Sequence, residues 1–380
     1  MSFSVKPYLY SFVWSLFFLF LSNVAAADML STSSVISSVY KREALSSQEA
    51  PSSSLRIPPK SFSHLSDTAK KKPSRAQKST RGFGNVTPTA LRSKISSRSA
   101  IIMDTGTGQI LYAHDPDRNG QPASTIKILT GLIAMKSLRD STTVEVSHKA
   151  SKMPRSKIYL HQGRKYKADD LINAVLISSA NDASVALAEK VAGSEQTFTK
   201  LMNHKARQLG ARSTLCKSAS GLTVRGQHST VRDLATIFNG AMQDEEFATR
   251  MSKIRTRTSY GRLLKNHNRA LWRIDGAMGG KTGYTHLARQ TYVGMFEREG
   301  KAITVAIMGS ETMWDDISNL VEYGFVRRDE LVATGKMAST PVTVASLAHL
   351  SEDQGSSADA DDVALQGPGI LSKTSKYSNR

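Results

Sequence analysis

Ser124 and Lys127 stand three residues apart in Ser124-Thr-Ile-Lys127, and a run follows that is apolar nearly all round through Ile126, Ile128, Leu129, Leu132, Ile133 and Met135. On a helix, positions three apart share a face, so a hydroxyl and an amine meet at the start of a buried element. A serine hydroxyl is a poor nucleophile at its own pKa and must lose its proton to a neighbour as it attacks. Lysine can be that neighbour only if its pKa falls by several units, through desolvation or a second cation close by. Lys281, in Lys281-Thr282-Gly283, is the candidate second cation. Ser179-Ala-Asn181 adds a hydroxyl able to relay a proton and a carboxamide able to bond lysine and substrate. Lys281 and Thr282 also offer a cation and a hydroxyl to a substrate carboxylate, and the glycines around them let a substrate lie against the backbone. The chemistry is covalent acyl transfer, with no metal and no cofactor.

Each motif has a bland reading when taken alone. Ser-x-x-Lys recurs at Ser38-Val-Tyr-Lys41, where no apolar helix follows. Ser-Ala-Asn-Asp also reads as an interhelix turn with an N-cap. Gly280-Lys281-Thr282 suggests a phosphate loop, but Asp275 stands where the first glycine of that loop belongs, and a strand follows. The nine histidines show neither His-Glu-x-x-His nor any Cys/His ligand spacing, which disfavours a zinc peptidase. What the three motifs share is order, each on a plausible element.

Those elements run as follows. Ala100–Met103 and Gln109–His114 flank the turn Asp104-Thr-Gly-Thr-Gly108 and predict a hairpin. The Ser124 helix starts near Pro122 and ends near Asp140. Helical patterns continue over Asp169–Leu176, Ala183–Val191, Gln196–Leu209 and Thr230–Met242, the last with Ser229 as N-cap. Strand signals return at Ile254–Tyr260, Thr291–Phe296 and Ala302–Met308, and Ile317–Phe325 closes as an amphipathic helix. Strands at both ends around a helical middle predict an α+β fold: one mainly antiparallel sheet packed with helices, its first hairpin beside the late strands, plus a helical subregion.

Composition limits the rest. Residues 1–27 read as a secretory signal, with Lys6, the apolar run Phe12–Leu21 and the small-residue site Val24–Ala27. A spanning helix needs roughly 20 apolar residues, more than this run holds. Residues 28–95 are Ser-rich, with twelve Lys/Arg against four Asp/Glu, and read as a disordered tether. Residues 331–380 read as a disordered tail, which leaves 96–330 for one catalytic domain. A net charge of +19 would suit nucleic acid, but an export signal argues against that partner. The basic run Lys149, Lys152, Arg155, Lys157, Arg164, Lys165 and Lys167 suits an anionic wall or membrane surface, or simply a solvated face. The single cysteine, Cys216, excludes an intrachain disulfide and reads as a small core residue.

From Ala100 to Phe325 the chain resembles the low-molecular-mass penicillin-binding proteins, specifically the serine-type D-alanyl-D-alanine carboxypeptidases. The likeness rests on the three motifs together with Met103–Gly108, Asn119–Thr125, Gly221-Leu222 with His228-Ser229-Thr230, and Gly280–Thr285. The resemblance implies a β-lactamase/transpeptidase-like fold and removal of the terminal D-alanine from a peptidoglycan stem peptide. It also implies inhibition by β-lactam antibiotics, and an exported enzyme of the bacterial periplasm or cell envelope. It makes Ser124 the acylated nucleophile, Lys127 its base and Ser179 the proton relay. Asn181, Lys281, Thr282 and Gly283 bind substrate, and the backbone N–H groups of Ser124 and Tyr284 form the oxyanion hole, where one donor contributes roughly 3–4 kcal/mol. Three departures stand out: Ala180 where glycine is usual, Ser218 where asparagine commonly precedes Gly-Leu, and no arginine near Ser310–Asp316. Lys281 is therefore expected to hold the substrate carboxylate, with Arg289 in reserve. The alternatives are a DD-endopeptidase cutting crosslinks, a class A-like β-lactamase and a non-enzymatic wall-binding protein. Glu189, Glu195, Glu245 and Glu246 do not stand in the Glu-x-x-Leu-Asn setting of the lactamases.

Overall fold

A computed structural model of the chain describes residues 86–338. The expected signal, residues 28–85 of the tether, the Ser38–Lys41 motif and the tail beyond residue 338 lie outside the described residues. Helix α1 (Pro88–Arg92) is capped by the Thr87 hydroxyl, and Leu91 and Ile95 are buried in the core. Residues 88–95 are thus part of the packed domain, not of a tether, because two apolar side chains there find a pocket that charge counting does not reveal. At the other end Leu331 and Met337 are buried as well, so the domain also runs past residue 330.

Strands β1 (Ser99–Asp104) and β2 (Ile110–His114) form the expected hairpin. A 3-10 turn, Ala123–Ile126, leads into α2 (Lys127–Ser137). A small hairpin follows, β3 (Thr143–Glu145) with β4 (Lys165–Lys167), and then five helices. These are α3 (Ala168–Leu176), α4 (Asn181–Ala192), α5 (Glu195–Gln208), α6 (Val231–Met242) and α7 (Glu245–Ser252). A second small hairpin, β5 (Arg255–Arg257) with β6 (Leu263–Lys265), precedes β7 (Ala277–Thr285), β8 (Arg289–Arg298) and β9 (Lys301–Ser310). Helix α8 (Met313–Ala333) ends the described chain, and no helix among the described residues is long and apolar enough to cross a membrane.

The large sheet has the order β2-β1-β9-β8-β7, antiparallel throughout. It is covered on both faces, so its strands are apolar on both sides. On one face Ala100, Ile102, Tyr292, Phe296, Ile303, Val305 and Ile307 pack with α1 and α8. On the other, Ile101, Met103, Val293, Met295, Ala306 and Met308 meet the helical subregion. The side-chain period of two along a strand makes this division. Helix α2 is buried nearly all round, as its sequence requires, and a Cβ on Gly131 would come within 2.4 Å of Leu176 on α3.

Four expectations shift. The cap of α6 is Thr230, whose hydroxyl accepts from Asp233 N, and not Ser229. The Ile254–Tyr260 signal yields only the three residues of β5, because that hairpin stands apart from the main sheet. The closing helix runs 21 residues, well beyond Ile317–Phe325. Lys281-Thr282-Gly283 lies within β7 and does not precede a strand as a loop would.

Candidate active site

The turn that carries Ser124 is tightly held. Ala123, just before Ser124, takes φ +49°, a left-handed conformation that costs a non-glycine residue. Pro122 O accepts from Thr125 Oγ1 at 2.6 Å and from Thr291 Oγ1 of β8 at 3.1 Å, which anchors the turn to the sheet. In a 3-10 turn positions i and i+3 eclipse, so Lys127 Nζ sits 2.8 Å from Ser124 Oγ. Gly221, at φ +74°, allows this approach: a Cβ there would lie 1.9 Å from Ala123 O.

Lys127 is fully buried. Its amine lies 2.7 Å from Asn181 Oδ1 and 2.5 Å from Ser220 O, besides Ser124 Oγ. A neutral lysine has two N–H bonds and one lone pair. The two oxygens from Asn181 and Ser220 are acceptors only, so in the neutral form they take both hydrogens and the lone pair faces the Ser124 hydroxyl, while in the ammonium form all three oxygens accept. Burial, and next the nearby Lys281 ammonium, hold Lys127 well below the ordinary lysine range, against an opposing pull from Asp182. Lys281 is itself buried and is lowered to about 7 by desolvation. Its amine donates to Ser179 Oγ at 2.8 Å and to Thr282 O at 3.2 Å.

Ser179 sits at φ +57° between α3 and α4, and Ala180 follows at φ −67°, ψ 119°. Those angles suit any residue, so the departure from glycine at this position needs no compensation. Asn181 does more than sequence suggests. Its Nδ2 donates to Pro154 O at 3.0 Å and to Arg155 O at 2.9 Å, while its backbone N–H bonds Ser156 O at 2.7 Å. The carboxamide thus orients Lys127 and ties down a neighbouring loop, with both of its hydrogens engaged.

Strand β7 is the free edge of the sheet, with Thr282 opposite Tyr292 and Gly283 opposite Thr291 on its paired side. A Cβ on Gly283 would lie 2.8 Å from Ser124 N and 2.4 Å from Thr291 Oγ1, so only glycine brings the edge against the N–H of Ser124. An open strand edge of this kind accepts an extended peptide as one more strand.

These parts border a cleft of about 520 Å³, whose lining includes Ser124, Ser179, Asn181, Thr282, Gly283 and Tyr284. The sequence-expected residues therefore converge, with Lys127 and Lys281 set just behind the lining. Arg289, the reserve cation, is exposed and paired with Glu311 at 2.5 and 2.8 Å. Ser218 replaces the expected asparagine by accepting from Gly221 N at 3.1 Å, and Gln227 bridges the same turn at Ser218 N and Leu222 O. Sequence reasoning missed the Ser220 carbonyl, the Arg155-Ser156 loop, His267 and Arg269, all at the site. His267 is lowered to about 4 by burial and by Lys281 and Lys127, so it is neutral near pH 7. Its neighbours in sequence give no hint of this, since the two lysines reach it only through the fold. Cys216 is buried away from the lining, and burial pushes its thiol up, consistent with packing.

Gly221→Ala is expected to displace the turn before Ser124, and a 1 Å misplacement at a reacting centre can cost about 100-fold in rate. Gly193→Ala is the matched control, because Gly193 has a similar φ of +75° but open space at its Cβ position. Penicillin acylation should collapse in the first variant and persist in the second. Equal rates would show that the turn tolerates the shift.

Residues 85–312 match the family described as D-alanyl-D-alanine carboxypeptidase. The chain is similar to the D-alanyl-D-alanine carboxypeptidase DacB2 of Mycobacterium tuberculosis, 36% identical over 236 residues, which span 59% of this chain and 81% of that one. It is 30% identical to the carboxypeptidase DacF of Bacillus subtilis over 60% of this chain, and spans only 62% of that longer protein. The structure resembles that of a penicillin-binding protein of Listeria monocytogenes solved in an ampicillin-bound form, with a TM-score of 0.56, 28% identity, and coverage of 62% of this chain and 98% of that one. The match covers more than half of the chain and includes Ser124, Lys127, Ser179, Asn181 and Lys281, and the chain belongs to the serine-type D-alanyl-D-alanine carboxypeptidases, a penicillin-binding family with a peptidoglycan substrate.

Proposed function

We propose that Ser124 is acylated by the penultimate D-alanine of the stem peptide, with Lys127 as its base, and that water then releases the shortened peptide. The observation that carries this is the 2.8 Å approach of the buried Lys127 amine to Ser124 Oγ, in a setting whose desolvation favours the neutral base. Ser124 Oγ attacks the carbonyl carbon as its proton passes to Lys127 Nζ. The resulting oxyanion meets the N–H groups of Ser124 and Tyr284. Collapse breaks the peptide bond and expels D-alanine, whose amine takes a proton through Ser179 Oγ, bonded to Lys281 Nζ. Thr282 and Lys281 favour the terminal carboxylate at that end of the cleft.

β-Lactams acylate the same serine. Among the described residues lining the cleft none is a carboxylic acid. Glu195 instead pairs with Lys149 and accepts from Ala219 N, and Glu246 pairs with Arg250. Nothing of the lactamase kind activates water against the penicilloyl ester, so the carboxypeptidase reading is favoured over the lactamase. The test combines two measurements on one preparation. Mass spectrometry should place the penicillin adduct on Ser124, and D-alanine release from a pentapeptide should outpace penicillin turnover. A label elsewhere, or faster turnover of penicillin, would overturn the assignment.

The substrate class and the expected signal at residues 1–27 together support an exported enzyme of the periplasm or cell envelope. The basic run expected to meet an anionic surface is partly neutralised, with Lys149 held by Glu195 at 2.6 Å and Lys165 near Glu145 at 3.9 Å. Of the run, Arg155 lines the cleft.

A further inference from the structure

The loop from Pro154 to Leu160 is fastened to the catalytic motif itself. Asn181 bonds the carbonyls of Pro154, Arg155 and Ser156, and the buried Asp182 carboxylate accepts from Ile158 N at 3.1 Å and Leu160 N at 3.0 Å. Ile158 and Leu160 are buried, Lys157 is half-buried, and Tyr159, at φ +59°, stands outward between the two buried residues. Tyr159 is 47% exposed and is ringed by cations. Arg155 donates to its hydroxyl at 3.0 and 3.2 Å, Lys157 Nζ lies 5.4 Å from the ring centroid, and the Arg262 guanidinium lies 5.6 Å from it. Among the described residues none of these three cations has a carboxylate partner. The nearby acid Asp170 is buried, with both oxygens engaged by Ser259 at 2.6 and 2.7 Å.

We propose that Arg155, Lys157 and Arg262, gathered around Tyr159, form an anion subsite that takes a free carboxylate in the acyl-donor half of the stem peptide. The inference rests on the carboxypeptidase reading and extends it to substrate selection. Three like charges around one ring repel one another, and an anion placed among them relieves that repulsion while it is attracted by all three. Arg155 lines the same cleft as Ser124, so the cluster is continuous with the reacting site. The direction follows from the strand edge. A peptide added antiparallel to β7, with its terminal carboxylate at Thr282, extends its donor half past Tyr284. On the facing wall, Ser179 bonds Lys281, and two residues further on Asn181 carries the Arg155 loop. The donor half therefore runs past Asn181 toward Arg155, the member of the cluster that lines the cleft, and the loop's attachment to Asn181 fixes Arg155 relative to Ser124.

The test uses the full chain and two pentapeptides that differ only in whether the donor-side carboxylate is free or amidated. The wild type should prefer the acid, and Lys157→Gln with Arg262→Gln should reduce that preference about fivefold, the scale of an exposed ion pair. The loss should appear in KM and shrink at high salt. Penicillin acylation and the rate on the amide should not change, which separates the subsite from a general disturbance of the loop. Equilibrium binding of the two peptides to a Ser124→Ala variant reads the same preference without turnover, so failure of the carboxypeptidase reading is distinguishable from failure of the subsite. A preference for the acid that survives both substitutions would overturn the proposal. So would equal binding of acid and amide alongside tight binding of a glycerol-phosphate oligomer, which would assign the cations to a phosphate polymer.

Discussion

Lys127→Ala should reduce acylation of Ser124, by peptide and by penicillin alike, by about 100- to 10,000-fold, the usual cost of removing a general base. The variant should also keep some residual binding, since Thr282, Gly283 and the strand edge remain. The pH dependence sharpens the test. The base acts when neutral, so the acylation rate rises with pH through the pKa of Lys127. Desolvation, with Lys281 second, holds that pKa well below 10.5, so the rising limb should fall well below pH 10.5. Removing Lys281 deletes one of the two depressing influences, so Lys281→Met should move the limb to higher pH as well as slow the reaction. A wild-type rate still climbing through pH 10.5 would show Lys127 to be an ordinary ammonium and remove it from the role of base.

Asp104→Ala should destabilise the domain by about 3–5 kcal/mol, the cost of breaking a buried ion pair from one side. Asp104 Oδ2 accepts from Arg328 Nε at 2.7 Å, and its other oxygen accepts from Thr107 N and Thr107 Oγ1 at 2.8 Å. Asp104 is fully buried and Arg328 is 2% exposed. The substitution removes the carboxylate that holds Arg328 Nε and unties the β1–β2 turn in one step. At roughly 2–4 °C per kcal/mol for a domain of this size, Tm should fall by about 6–20 °C. Asp117→Ala is the contrast, since the Asp117–Arg232 pair is exposed and such pairs contribute about 1 kcal/mol or less. Equal shifts in the two variants would mean that burial of the Asp104 pair does not govern its contribution.

The pair Asp104–Arg328 also marks a limit of legibility. Asp104 reads in sequence as a turn residue, and it is one, through Thr107. Its partner lies 224 positions away on α8, and no local pattern links the two. The departures from the family pattern behave in the same way. Ser218 looks like a loss until Gln227, nine residues on, is seen bridging its turn. The α1 segment failed as an expectation because five residues with one buried leucine carry too little periodicity to stand out from a Ser-rich flank.

The sequence by itself determined the reaction class and the kind of fold that holds the candidate site. A serine three residues from a lysine at the head of an all-apolar helix can be satisfied in few ways, and spacing within one element needs no tertiary knowledge. The strand periods likewise fixed the sheet at the two ends of the domain. Only the tertiary structure decided the surroundings of Lys127, because the burial and the Lys281 charge that lower its pKa, and its acceptors Asn181 and Ser220, come from elements far apart in the chain. It also decided that the Arg155 loop belongs to the site and that Arg289 is spoken for by Glu311. Hydrogen-bond valence and desolvation depend on which groups the fold brings within 3 Å, and sequence spacing does not encode that distance between separate elements.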